Sequence, residues 1–191
     1  MNWTARQRGR ARNRFSISRH FRGDPRGTAM VEFALIVPVA LILFTGTVIY
    51  GDAIAIDRKV TLTARTVTDL VTQYGTISYA TLQTVLSASS LIIAPYSGSS
   101  IVVTVSEVQT NSAGAATITW SYSTPNGTPR PQGQSVTLPA SIDTANVTYI
   151  WGEVSYTDTP AVGYQVTGSI TLTDQTYMAP RISTTIPVTF P

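Results

Sequence analysis

Three spacings of apolar residues succeed one another along the chain. From Ala29 to Ile49, 21 residues are almost all apolar, with Pro38 and Gly46 inside the run. At about 1.5 Å per residue such a run reaches roughly 30 Å as a helix, the thickness of a bilayer core. Proline and glycine are tolerated in membrane helices, and a buried core helix is rarely apolar all round for this length. The run predicts a transmembrane helix. Beyond it Ile56, Val60, Ala64, Val67, Val71 and Tyr74 recur every three or four positions, with Asp57, Arg58, Arg65 and Asp69 off the stripe. That spacing draws one apolar line along a helix, and Gly75 is a suitable stop. One helix from about residue 29 to 74 is predicted, half in lipid and half packed on a domain. Two helices broken at Gly51 is the alternative.

Residues 78–93 predict a second, short helix with Ser78 as N-cap and Leu82, Val85 and Leu86 on one face. The stretch 94–100, APYSGSS, reads as a loop. From residue 101 the period becomes two. Ile101, Val103 and Val105 alternate with polar or smaller residues, as do Ile118, Trp120 and Tyr122, then Tyr164, Val166, Ile170 and Leu172, and finally Ile186, Val188 and Phe190. Such alternation predicts half-buried antiparallel strands. NSAG at 111–114 reads as a hairpin loop, and the Pro/Gly-rich stretch 123–134 as a longer one. Residues 148–163 carry apolar side chains on both faces, predicting the central strand, with Gly152 at a bulge. The fold class is α+β: an N-terminal transmembrane helix continuing into an amphipathic helix, then an antiparallel β-rich domain. The expected divisions are 1–27, 28–50, 51–75 and 76–191.

Charge sharpens this picture. Eight of the 13 basic residues lie in the first 26 positions, as Arg6, Arg8, Arg10, Arg12, Arg14, Arg19, Arg22 and Arg26, against Asp24 alone. After residue 27 five basic residues face nine acidic ones. The net charge of +3 thus belongs to a leader and not to a domain. A basic arm can bind nucleic acid. One that ends at an apolar run instead holds its end of the helix on the cytoplasmic side and is drawn to anionic lipid. The expected location is the inner membrane, single pass, with the C-terminal domain periplasmic or extracellular and no nucleic-acid partner. A secretory signal peptide is the rival, since Ala53-Ile54-Ala55 fits an A-x-A cleavage site, but the apolar run is too long for one.

One carboxylate, Glu32, stands near the start of the apolar run, where a charge is costly. The order is Arg26-Gly27, then Thr28-Ala29-Met30-Val31, then Glu32-Phe33. This resembles the processing site of type IV prepilins and pseudopilins. More narrowly, residues 26–75 resemble the TadE/TadG-like proteins of the tight-adherence (Tad, or Flp) pilus system, with the G-x-x-x-V-E-F-A-L segment and a proline in mid-run. LTDQTYMAPR at 172–181 is similar to the closing segment of some members. Here Tyr50-Gly51-Asp52 follows the run where the family often has Glu-Phe or Glu-Tyr, which leaves the subfamily open. The resemblance implies cleavage between Gly27 and Thr28 by a prepilin peptidase, and assembly roles for Glu32 and Phe33. Glu32 would pair with the new α-amine of a neighbouring subunit. The physics agrees with that role: a carboxylate suits the positive end of a helix, and a buried one needs a cation. A Glu that merely starts a helix at headgroup depth is the plainer account.

Catalytic chemistry is poorly provided for. The only histidine, His20, precedes the apolar run, and there is no cysteine. That removes Ser-His-Asp triads, H-E-x-x-H sites and soft-metal clusters. There is no phosphate-binding glycine loop. Glu107, Asp143, Glu153, Asp158 and Asp174 are dispersed, and isolated acids are ordinarily solvated. Trp120, Tyr122, Tyr149, Trp151, Tyr156 and Tyr164 fall on predicted strands and read as core. No metal, cofactor or catalytic residue is expected. Two functions stand: a non-catalytic, pseudopilin-like component of Tad pilus assembly with other pilus proteins as partners, or a membrane-tethered extracytoplasmic binding module with no pilus role.

Overall fold

The computed structural model describes residues 25–160 and 164–189. The arginine-rich leader up to residue 24, His20 within it, and Phe190 lie outside the described residues. The chain divides into two compact units at Phe44/Thr45.

Helix α1 runs from Pro25 to Thr72. It begins four residues earlier than the apolar pattern predicts, because Pro25 stands in the first turn, where its missing N–H costs nothing and its fixed φ suits a helix. Gly51 lies within α1, so no break falls there. In the first unit the apolar residues point outward: Met30, Phe33, Leu35, Ile42 and Phe44 are each about 70% exposed. The apolar span is long enough to cross a membrane, and none of it is buried inside the protein.

In the second unit the stripe behaves as the spacing requires. Ile56, Val60, Ala64, Val67 and Val71 are buried. Tyr74 is half-exposed, beyond the helix end. The buried face is broader than the stripe, because Thr63, Thr68 and Thr72 are also sealed from solvent. Their hydroxyls bond to helix carbonyls, Thr63 Oγ1 to Lys59 O at 2.8 Å and Thr68 Oγ1 to Ala64 O at 2.7 Å. A threonine back-bonded in this way buries its hydroxyl satisfied.

The short strand β1 (Ile77–Ser78) leads into α2 (Tyr79–Ser87), where Ser78 Oγ accepts from Thr81 N at 3.1 Å as the predicted N-cap. The predicted single helix is split: α3 (Ser89–Ile92) follows α2 after Ala88. A 3₁₀ turn at Gly98–Ser100 ends the connecting loop.

The sheet holds β2 (Ile101–Thr110), β3 (Ala116–Ser123), β4 (Ser135–Val136), β5 (Thr148–Asp158) and β6 (Ile170–Met178), in the order β4-β3-β2-β5-β6, every pairing antiparallel. The NSAG hairpin loop forms as predicted: Asn111 Oδ1 accepts from Ala113 N and Ala115 N at 2.9 Å, and Gly114 takes φ +80°. β2, not β5, is the middle strand. Gly152 is not at a bulge, since the ladders of β5 run through it unbroken. The irregularity lies between Glu107 and Val108. Gly152 has another reason. A Cβ there would fall 1.8 Å from Thr68 Oγ1, so only glycine lets α1 approach the sheet this closely.

Two further expectations are corrected. Tyr164–Thr167 is one helical turn, α4, and the strand starts only at Ile170. Gly168, at φ +67°, ends that turn in the left-handed conformation that glycine adopts most easily. The last segment contributes only β7 (Val188–Thr189), which pairs in parallel with β1 away from the main sheet.

The main core lies between α1 and one sheet face: Val103, Val105, Val154 and Tyr156 meet Ile56, Val60 and Val67. On the other face a smaller cluster of Val108, Ala116, Ile118, Leu138 and Trp151 sits under the 136–142 loop.

Candidate functional site

Gly27, Thr28, Glu32 and Phe33 all lie in the first turns of α1. Thr28 and Glu32 are one turn apart, so they share a face of the helix. All four are exposed. A Cβ on Gly27 would meet nothing within 4 Å, so the backbone there is open to approach. Phe33 is 70% exposed and fills no pocket among the described residues. Among the described residues nothing in the fold requires a glycine at 27 or a carboxylate at 32.

In the β domain the dispersed acids take separate structural posts. Glu153 on β5 receives a two-pronged ion pair from Arg130: Nε to Oε2 at 2.7 Å and Nη2 to Oε1 at 2.6 Å. The guanidinium also lies 4.1 Å above the Trp151 ring, which stacks on Tyr177 at 5.3 Å. The backbone N of Arg130 donates to Ser121 Oγ at 3.0 Å. Together these contacts pin the Pro/Gly-rich loop onto the sheet. The hydrogen bonds to Glu153 raise the affinity of Arg130 for its proton further, against a smaller lowering by burial. Beside the pair lies an open cleft of about 850 Å³, lined by Thr104, Thr128, Glu153, Thr173 and Gln175 among others. Its walls mix hydroxyls, amides and valine and proline side chains with the paired Arg130 and Glu153 and a second carboxylate, Asp174.

Glu107 departs from the expectation that isolated acids are solvated. It is 1% exposed, and its Oε1 accepts from Ile186 N at 2.7 Å. Trp120 Nε1 donates to Ile186 O at 2.8 Å. Two sheet side chains thus grip both polar groups of one residue in the C-terminal segment. Burial pushes the Glu107 carboxyl up from its ordinary range, against the lowering effect of the Ile186 and Trp120 hydrogen bonds. The signal for this was present in the alternation: Ile101, Val103, Val105 and Glu107 share a strand face, and the first three face the core.

Among the aromatics, Trp120, Trp151 and Tyr156 are buried as expected, while Tyr164 is 47% exposed. Among the described residues no group of three acids, histidines or cysteines could hold a metal ion.

An exposed apolar helix long enough to cross a membrane leads into an amphipathic one, with a small antiparallel domain packed on the latter: the class is α+β with one candidate membrane span. The helical part can be placed more closely: residues 27–69 match the model of the TadE-like protein family. The match starts at Gly27 and ends within the buried stripe, so over that segment the resemblance to TadE/TadG-like proteins stands. No curated protein and no solved structure matches the chain.

Proposed function

We propose that this protein is a membrane-anchored, non-catalytic component of a Tad-type pilus assembly machine. The observation that carries the reading is the family match over residues 27–69, which falls on the outward-facing apolar helix and its glycine-glutamate start. In this reading a prepilin peptidase cuts between Gly27 and Thr28 on the cytoplasmic side of the inner membrane. The arginine-rich leader is removed, and residues from about 52 onward lie outside that membrane. Glu32 then meets the free α-amine of a neighbouring subunit, and Phe33 packs against that neighbour's helix. The domain acts by shape and contact. Its acids are buried, paired or dispersed, which supports a role without chemistry.

The test is the N-terminal residue of the protein extracted from membranes, read by mass spectrometry beside two variants. Wild type should begin at Thr28. Gly27→Leu should keep the leader, because a side chain obstructs close approach to that backbone. Glu32→Leu should insert and be cut, yet assemble poorly, having left an amine without its partner. Wild-type protein still carrying Arg26 would show a plain anchor, and one beginning at Ile56 an ordinary signal peptide.

A further inference from the structure

The sheet has two edges of different kinds. At one, the 129–136 loop bonds to β3, with Gly133 N donating to Ile118 O at 2.8 Å and Ile118 N to Gln134 O at 3.0 Å. At the other, β6 offers nine residues, Ile170–Met178, and among the described residues only β5 pairs with it. Natural edge strands are guarded by lysine, proline, bulges or shortness. β6 has none of these, and a single half-buried charge, Asp174, is its one guard: its sequence is ITLTDQTYM and its ladder to β5 runs without a register shift.

The hydrogen bonds show which groups face outward. Gln175 N donates to its own neighbour, Asp174 Oδ1, at 2.8 Å. That amide therefore points away from β5. Because the direction alternates along an antiparallel strand, the backbone groups of Thr173 and Tyr177 point outward too. The open edge is stoppered at its middle by one half-buried carboxylate.

We propose that β6 docks on the β6 of a second copy of this chain, antiparallel about a two-fold axis through Gln175. The register follows from the side chains. Centring on Gln175 sets Asp174 opposite Thr176, whose hydroxyl takes the carboxylate that had been occupied by Gln175 N. It sets Leu172 opposite Met178, an apolar pair, and Thr173 opposite Tyr177, a β-branched–aromatic pair of the kind that stabilises sheets. Each of these occurs twice, as a two-fold contact requires. Outward backbone groups meet outward ones at residues 173, 175 and 177, giving about six interchain hydrogen bonds. Centring on Asp174 would oppose two carboxylates, which is unfavourable. Centring on Thr173 or Thr176 would set Asp174 against Leu172 or Met178. The proposal does not depend on the pilus reading.

The chain has no cysteine, so single thiols report contacts without background. The full chain in detergent, oxidised under mild conditions, should give a disulfide-linked dimer for Gln175→Cys at least ten-fold more readily than for Thr173→Cys. The two 175 positions would lie within disulfide reach, whereas the two 173 positions would be about 13 Å apart. Mixing Thr173→Cys with Tyr177→Cys should restore cross-linking. Thr173→Pro removes an outward N–H that β5 does not use, a substitution edge strands tolerate. It should leave the circular dichroism of the sheet intact and reduce the wild-type dimer to monomer by light scattering. Equal cross-linking at 173 and 175, no cross-linking at 175, or a folded Thr173→Pro protein that remains dimeric would each overturn the assignment. If Thr173→Pro does not fold, the thiol register decides alone.

Discussion

The two halves of α1 are built from similar residues and meet opposite fates. Ile36 and Ile42 in the first half are 64% and 71% exposed, while Ile56 in the second is 1% exposed. The difference lies in arrangement. In the first half the apolar residues go all round the helix, leaving no polar face for water. In the second they keep to one line, and charges hold the other side. An apolar line of helical period finds its cover within the same chain. An apolar cylinder needs cover from outside, which in the proposed function is lipid and neighbouring helices. Substitutions that distinguish the two kinds of cover test this directly.

The largest effect is expected where helix and sheet come closest. Gly152→Val would drive a branched side chain into Thr68, where even a Cβ would fall at 1.8 Å. Overpacking costs about 1–3 kcal/mol where neighbours can shift. Here the nearest atom is a hydroxyl held to Ala64 O inside the core, so the upper end or loss of the fold is expected. Thermal unfolding of the full chain in detergent, followed by circular dichroism, reads this. A variant within 0.5 kcal/mol of wild type, taken as about the size of a neutral surface change, would mean that α1 does not rest on β5 as described.

A paired substitution then asks whether the halves differ in kind. Ile56→Ala removes a buried side chain and should destabilise the β domain by about 2–5 kcal/mol. Ile42→Ala makes the same chemical change on an exposed position and should leave domain unfolding within about 0.5 kcal/mol of wild type. Equal losses would show that the first half packs on its own chain.

The same contrast explains what could be read from the sequence. The stripe Ile56–Val71 and the strands around Val103, Ile118 and Val154 were legible because period and burial agree. The buried threonines of α1 were not, because a back-bonded hydroxyl leaves no trace in an apolar pattern. Tyr164 and Val166 alternated like a strand but form a helical turn, since two alternating residues before a glycine carry too little information against a local turn. Gly152 drew attention as a bulge, when its meaning was a helix on the far side. Of the candidate site, Gly27, Thr28, Glu32 and Phe33 were legible only as a motif. The Arg130–Glu153 couple joins residues 23 positions apart and could not have been paired without the fold.

Glu107 gives a subtler test, because it is a charge on the covered side. Its carboxyl is raised by burial. The folded state therefore binds that proton more tightly than the unfolded chain does. Its contribution is fully favourable below the unfolded value, near 4.3 for a free Glu, and is lost as pH rises through the higher folded value. Glu107→Gln keeps an acceptor for Ile186 N without the charge. The stability difference, Glu107→Gln minus wild type, should grow more positive as pH climbs from about 4.3 through neutrality, in denaturant titrations run at several pH values. Glu107→Leu, which leaves Ile186 N unpaired, should be less stable than Glu107→Gln by about 1–3 kcal/mol at every pH. A difference that stays flat with pH would mean that the carboxylate is hydrated.

The smallest effect is expected on the outer side of the second half, where Asp69 pairs with Arg181 of the C-terminal segment. Arg181 is 61% exposed there and Asp69 32%. Coulomb energy between exposed groups is weak, and two long side chains lose freedom in meeting, so such pairs contribute about 0–1 kcal/mol. The backbone bond from Arg181 N to Thr72 O at 3.0 Å does not need the side chain. Arg181→Ala should therefore lower stability by no more than about 1 kcal/mol, and the loss should shrink as salt is added, because screening weakens the pair in wild type. A double-mutant cycle with Asp69→Ala isolates the pairwise part. A coupling above about 2 kcal/mol, insensitive to salt, would place this pair out of water and would extend the covered side of α1 around to Asp69.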